Sequence, residues 1–140
     1  MPTIVTTELE VRWGECDAAG IVYHPVYLDW FSVARMHFLR DNGVSYMKSF
    51  HDNGIVLVVL GTGCTYKKTL RAEDVVRIEA RMAELSRTRL RMEYQVWDEA
   101  GHLYGEGFTD HAFVDGKNHA VNLAKRAPTL WDLLSSLPHR

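Results

Sequence analysis

The sequence predicts an α+β fold in which one antiparallel β-sheet wraps around a single long central helix. Three observations lead there. Tyr27, Trp30, Phe31, Ala34 and Phe38 recur at helical spacing and form one continuous apolar stripe. Beyond Gly54, successive segments carry strand patterning, separated by turn signals and by no helical pattern. Strands that follow one another in this way pair antiparallel, and the lone helix must cover their apolar face.

Leu9, Val11 and Trp13 alternate with Glu8, Glu10 and Arg12, the pattern of a first strand with one buried face. Residues 14–23 read as a loop. Pro25 opens the helix, since the N–H it lacks would be unpaired in the first turn anyway. Asn42-Gly43 stops it, glycine being free to turn left-handed. The helix is then about 17 residues, or roughly 25 Å, long. Residues 45–53 are expected to hold a short second helix. Residues 55–60 are a continuous apolar run, expected to be a strand buried on both faces and continuing towards Tyr66.

Val76, Ile78, Ala80 and Met82 alternate with Arg77, Glu79 and Arg81. Leu90, Met92, Tyr94 and Val96 alternate with Arg89, Arg91, Glu93 and Gln95. The second face of the sheet should therefore be polar and rich in Arg and Glu. Residues 98–101 have hairpin-turn length, and a last strand runs from about Leu103 to Val114. Pro128 opens a short C-terminal helix that reaches Leu134.

The 140 residues show no repeat, linker or charge block, so one domain over 1–140 is the expectation. Hydrophobic residues at 46% and charged residues at 24% are ordinary globular values, which argues against a disordered chain or a disulfide scaffold. A net charge of −2 leaves no general footprint for nucleic acid. Met1 to Thr7 has no basic n-region or long apolar run, and so does not read as a secretory leader. The six-residue run 55–60 is far short of the ~20 needed to cross a bilayer, so no membrane association is expected. Cys16 and Cys64 form no C-x-x-C pair and read as free thiols, although one disulfide stays open. A cytoplasmic protein follows.

Standard catalytic signatures are missing. Gly43-Val44-Ser45-Tyr46-Met47 lacks the second glycine of a nucleophile elbow. Gly61-Thr62-Gly63 has no glycine three residues on, and the seven histidines show no H-x-x-x-H pair, so neither a dinucleotide nor a metal site is expected. The unusual segment is residues 13–25, where Glu15, Asp17 and His24 sit in a loop that ends on the start of the apolar helix. A helix start offers free N–H groups and partial positive charge, which suit an oxygen developing negative charge. A carboxylate opposite it could act as base or nucleophile on a carbonyl. The plainer reading is a turn, with Asp17 as the cap and Gly20 supplying a special backbone angle.

Asp17-Ala18-Ala19-Gly20-Ile21-Val22-Tyr23, followed by Pro25, Tyr27 and Trp30-Phe31, closely resembles the 4-hydroxybenzoyl-CoA thioesterase family of hotdog-fold enzymes. The likeness extends to Gly54-Ile55-Val56 and Asp74-Val75-Val76. It implies a hotdog fold and hydrolysis of an acyl-CoA, with no cofactor beyond the coenzyme A of the substrate. By that resemblance Asp17 matches the catalytic carboxylate. The backbone N–H near Tyr23 and His24 matches the group that polarises the carbonyl, and His24 matches a position that carries a catalytic histidine in some relatives. Ser86, Arg87, Thr88 and Arg89 match a stretch that binds CoA phosphates in some relatives. Lys67 and Lys68, with Arg71, form a second basic cluster suited to phosphate. Trp13 stands where one branch has a catalytic tyrosine, a departure that favours an aromatic, hydroxybenzoyl-type acyl group. The resemblance also implies a homodimer with a continuous sheet, or a homotetramer, with sites built by two subunits. The alternatives are a short-chain aliphatic acyl-CoA thioesterase and a non-catalytic acyl-CoA-binding module. A hotdog hydratase would use a paired Asp and His in a different motif, which is absent. Cys16, Trp30 and Phe31 are expected to be interior, His111 to be an interior or interface histidine, Glu15 to face solvent or an arginine, and Tyr23 or Trp13 could line an acyl pocket.

Overall fold

Alternation along the strand segments sets the architecture. The computed structural model describes residues 4–138. Residues 1–3, part of the segment read as lacking a leader, lie outside the described residues. The elements run β1 (Val5–Glu10), α1 (Val26–Asp41), β2 (Val56–Tyr66), β3 (Val75–Leu85), β4 (Arg89–Asp98), β5 (Leu103–Val114), α2 (Leu123–Arg126) and α3 (Pro128–Ser136). Every neighbouring strand pair is antiparallel, and the order across the sheet is β1-β3-β4-β5-β2. The α+β sheet around one long helix is therefore as expected.

Val76, Ile78, Ala80 and Met82 of β3 are buried, as are Leu90, Met92, Tyr94 and Val96 of β4. All five stripe residues of α1 are buried as well, and Phe31 stacks on Tyr94 with ring centroids 4.4 Å apart. β5 admits the helix this closely because it carries Gly105 and Gly107. A Cβ on Gly107 would lie 2.6 Å from the Phe31 ring, and one on Gly105 would lie 3.2 Å from Tyr27. On the opposite face Arg81 pairs with Glu93 at 2.9 Å, and Arg91 with Asp110 at 3.1 Å. The polar second face is thus present. Gly43, at φ +83°, ends α1 as the sequence indicates.

His111 is fully buried, its Nε2 lying 2.7 Å from the Thr109 hydroxyl, which in turn lies 2.7 Å from the Tyr94 hydroxyl. Arg35 of α1 donates to that same Tyr94 oxygen. Burial, helped by Arg35, pushes the His111 imidazole down to about 4, so it is neutral at ordinary pH. It is an interior histidine, as expected.

Two expectations fail. β1 ends at Glu10, and Trp13 lies in a 3-10 turn (Trp13–Glu15) with 77% of its surface exposed. The alternation that places Leu9 and Val11 inward stops there, because the chain turns to begin the loop. The apolar run 55–60 is not buried on both faces. β2 is one of the two edge strands of the sheet, and Val56, Val59 and Leu60 are exposed. Val56 and Val59, three residues apart, point to opposite faces, so at this edge of the sheet neither face is fully covered. The short helix expected over 45–53 is present, as a π-helical turn (Tyr46–Phe50) followed by a 3-10 turn (His51–Asn53).

One largely buried carboxylate ties the first loop to the helix. Glu15 Oε1 accepts the Arg12 N–H at 2.8 Å, and Oε2 accepts the indole N–H of the buried Trp30 at 2.9 Å. Arg12's guanidinium adds a longer contact at 3.3 Å. Burial works to raise the Glu15 carboxyl, but these hydrogen bonds outweigh it and hold the group below the usual carboxylate range. Its folded value is thus below its unfolded one. The stability it supplies is full above the unfolded value of 4.5 and is lost as pH falls through the folded value. Glu15→Gln should cost about 1–3 kcal/mol at neutral pH. Urea melts should show this gap shrinking at about pH 3. A gap of the same size at both pH values would contradict the charged clamp.

Candidate active site

The loop after β1 doubles back on itself. The Tyr23 N–H donates to the Glu15 carbonyl at 2.9 Å, Cys16 bridges Val22, and the Asp17 N–H donates to the Ile21 carbonyl at 2.9 Å. Residues 15–23 therefore form a small irregular hairpin. Asp17 Oδ1 accepts the Ala19 N–H at 2.8 Å, and Gly20 takes φ +79°. The turn reading of this segment is realised, and it does not consume the carboxylate. Asp17 is exposed, and Oδ2 accepts no hydrogen bond among the described residues.

Helix α1 begins one residue later than the sequence indicates, with Pro25 as its N-cap. The general expectation is four free N–H groups at a helix start. Here most are taken. Val26 N–H donates to the Tyr23 carbonyl at 2.9 Å, Tyr27 N–H to His24 at 3.3 Å, and Leu28 N–H to Pro25 at 3.0 Å. Pro25 has no N–H, and that of Tyr23 is held by Glu15. The His24 N–H is left without a partner among the described residues. Of the two amides singled out in the sequence, only that of His24 is available to a ligand.

Aromatic rings surround this amide. The exposed Tyr23 ring meets His24 edge-on at 5.0 Å, and His24 meets Tyr66 at 6.1 Å. Tyr66, the last residue of β2, was not singled out in the sequence, because nothing in its spacing relates it to the loop. Its hydroxyl donates to the His24 carbonyl at 2.7 Å. Burial and neighbouring Cys64 push the phenol up to about 12, so it stays a donor. Burial also raises the Cys64 thiol, and both cysteines are free. Trp30 and Phe31 are core, as expected, whereas Cys16 is only half-buried.

The two basic clusters lie at opposite ends of the sheet. The Lys67 and Lys68 N–H groups both donate to the Tyr104 carbonyl, at 2.9 and 3.2 Å, beside the end of β2 that carries Tyr66. Arg71 lines a hollow of about 400 Å³ with Trp13 and Gly20. These cations share the Asp17 end. Ser86, Arg87, Thr88 and Arg89 form the β3–β4 turn at the other end, where the Ser86 hydroxyl accepts the Arg89 N–H at 3.0 Å. Ser86 and Arg89 line a second cavity of about 470 Å³ with Arg91 and His111. Ten residues of β4 separate the two ends, roughly 30 Å along the strand. One chain therefore does not bring residues 86–89 to its own Asp17.

Among the described residues no group of three His, Cys, Asp or Glu side chains could hold a metal ion. Nor is any helix among them long and apolar enough to cross a membrane.

Comparison with known proteins fits this geometry. Residues 11–135 match the model of the thioesterase-like superfamily. A putative acyl-CoA thioesterase of Bacillus subtilis is 30% identical over 108 residues, covering 77% of this chain and 78% of that protein. The 4-hydroxybenzoyl-CoA thioesterase of a Pseudomonas species is 26% identical over 98 residues, 69% of this chain and 70% of that protein. The solved structure of a DHNA-CoA thioesterase from Staphylococcus aureus superposes with a TM-score of 0.90 at 28% identity, covering 94% of this chain and 89% of that one. The chain belongs to the thioesterase-like superfamily, and its five-stranded sheet around α1 is the hotdog fold of a thioester hydrolase.

Proposed function

We propose that this thioesterase hydrolyses an aromatic, hydroxybenzoyl-type acyl-CoA to the free acid and coenzyme A, with Asp17 and the His24 N–H acting on opposite sides of the thioester carbonyl. The observation that carries the reading is a carboxylate oxygen on the first arm of the hairpin and a backbone amide just past its second arm, each without a partner among the described residues. The His24 N–H stabilises the oxygen as it gains charge. Asp17 either deprotonates the attacking water or attacks the carbon itself and forms an anhydride that water then opens. In both routes the C–S bond breaks as the tetrahedral centre collapses. In the general-base route Asp17 passes water's proton to the departing thiolate; in the anhydride route the thiolate leaves before water attacks and takes its proton from solvent. The exposed rings of Tyr23 and His24 offer edges and faces to an aryl group. Relatives named for dihydroxynaphthoyl-CoA and 4-hydroxybenzoyl-CoA support the aromatic assignment. The enzyme acts in the cytoplasm, a reading supported by its two free thiols.

The working form is a homodimer, or a homotetramer of paired dimers. Support comes from β2, an outer strand of eleven residues whose exposed Val56, Val59 and Leu60 present an apolar edge of the kind that pairs with another chain. Two-fold pairing of β2 with its copy would run antiparallel. It would bring the partner's 86–89 turn to the sheet end that carries Asp17. Ser86, Arg87, Thr88 and Arg89 would then hold CoA phosphates for the neighbouring site, while Lys67 and Lys68 hold them for their own.

Thiol release from benzoyl, hydroxybenzoyl, phenylacetyl and straight-chain CoA esters should be fastest for the hydroxybenzoyl ester. An asparagine in place of Asp17 keeps a side-chain oxygen that can accept the Ala19 N–H. Asp17→Asn should therefore leave KM and folding nearly intact while lowering kcat by about 100-fold or more. Parental turnover in this variant would reduce Asp17 to a turn residue. Single-turnover hydrolysis in labelled water separates the two routes, since label entering Asp17 marks the anhydride. Light scattering at micromolar concentration should give two or four times the 16.0 kDa chain mass. A 16.0 kDa particle would end the two-subunit site.

A further inference from the structure

We propose that Tyr66 is a positioning residue for the oxyanion-binding amide, acting from the sheet edge through the His24 carbonyl. The inference rests on the reading of the His24 N–H as the group that meets the thioester oxygen. That amide belongs to the peptide between Tyr23 and His24. The Tyr23 carbonyl end of this peptide is fixed by the Val26 N–H at 2.9 Å. The other side of His24 is held less firmly by the helix itself. Its carbonyl receives only a 3.3 Å bond from the Tyr27 N–H, and the following residue, Pro25, cannot donate. The 2.7 Å bond from the Tyr66 hydroxyl is the short contact at this carbonyl. It anchors the His24 carbonyl to the end of β2 and so sets where this residue, with the free N–H at its other end, sits against the sheet.

The phenol is itself well braced. Tyr66 is the last residue of β2 and pairs in register with Gly105. Its ring meets Tyr27 edge-on at 4.8 Å and 89°. Tyr27 is buried, and it reaches this position because Gly105 has no Cβ to obstruct it. Sheet, helix and loop therefore converge on one hydroxyl. Tyr66 reaches the reaction only through the backbone it holds.

Tyr66→Phe removes the hydroxyl and keeps the ring against Tyr27. On the CoA ester that the parent turns over fastest, kcat should fall about 10- to 100-fold, the scale of a catalytic group displaced by an ångström or less. KM should change by less than about twofold, because uniform substrate binding is untouched. The unfolding temperature should stay within about 2 °C of the parent, since one exposed hydrogen bond is a small part of the whole. Tyr66→Leu, which loses the ring as well, should lower both kcat and the unfolding temperature. Parental kcat in Tyr66→Phe overturns the proposal. So does a rise in KM that accounts for the whole loss, which would mark direct substrate contact. Asp17→Asn run in parallel separates the two levels. If it is inactive while Tyr66→Phe is fully active, only the positioning role falls. If it is fully active, the reading of the site falls, and this proposal with it.

Discussion

The hydrogen bond from the Tyr23 N–H to the Glu15 carbonyl governs what the start of α1 can do. It closes the hairpin of residues 15–23 and brings the Asp17 turn back towards the helix. It also removes one of the amides that the helix start would otherwise offer, leaving that of His24. The Glu15 side chain secures the same point from below, through the Trp30 indole. Backbone and carboxylate of one residue thus fix both the loop and the amide it leaves exposed. The arrangement is rigid because Trp30 lies in the core, packed at 4.9 Å against Tyr27.

The sheet contributes by letting the helix come close. Gly105 and Gly107 clear a track on β5 for Tyr27 and Phe31, and the first of these rings supports Tyr66. The core and the site are thereby linked through a single aromatic file from Trp30 to Tyr27 to Tyr66 to His24. The same strand, β2, carries the apolar outer edge. The surface suited to a second copy and the residue that holds the His24 carbonyl lie on one element.

Much of the fold could be read from the sequence, because periodicity reports burial directly. The stripe from Tyr27 to Phe38 and the alternations in β3 and β4 describe faces that bury against one another within one chain. Reading failed where burial depends on neighbours that spacing cannot reveal. The run 55–60 looks interior, yet at the sheet's edge neither of its faces is fully covered. Trp13 continues an alternation after its strand has ended. Of the site, Asp17, Tyr23 and His24 were legible as a string beside a helix start, and the resemblance gave them roles. Tyr66 was not, since 42 residues separate it from the carbonyl it binds. Nor did sequence spacing reveal that Lys67 and Lys68 share an end with Asp17 whereas residues 86–89 do not. That distinction arises only from the antiparallel register of the sheet.

The most direct test is a crystal structure with an acyl-CoA analogue whose sulfur is replaced by a methylene group, so that the carbonyl survives. The account predicts the carbonyl oxygen about 2.7–3.1 Å from the His24 backbone nitrogen, with the Asp17 carboxylate on the opposite side of the carbonyl carbon. A carbonyl oxygen bound away from that nitrogen, with the analogue otherwise ordered at the helix start, would contradict it.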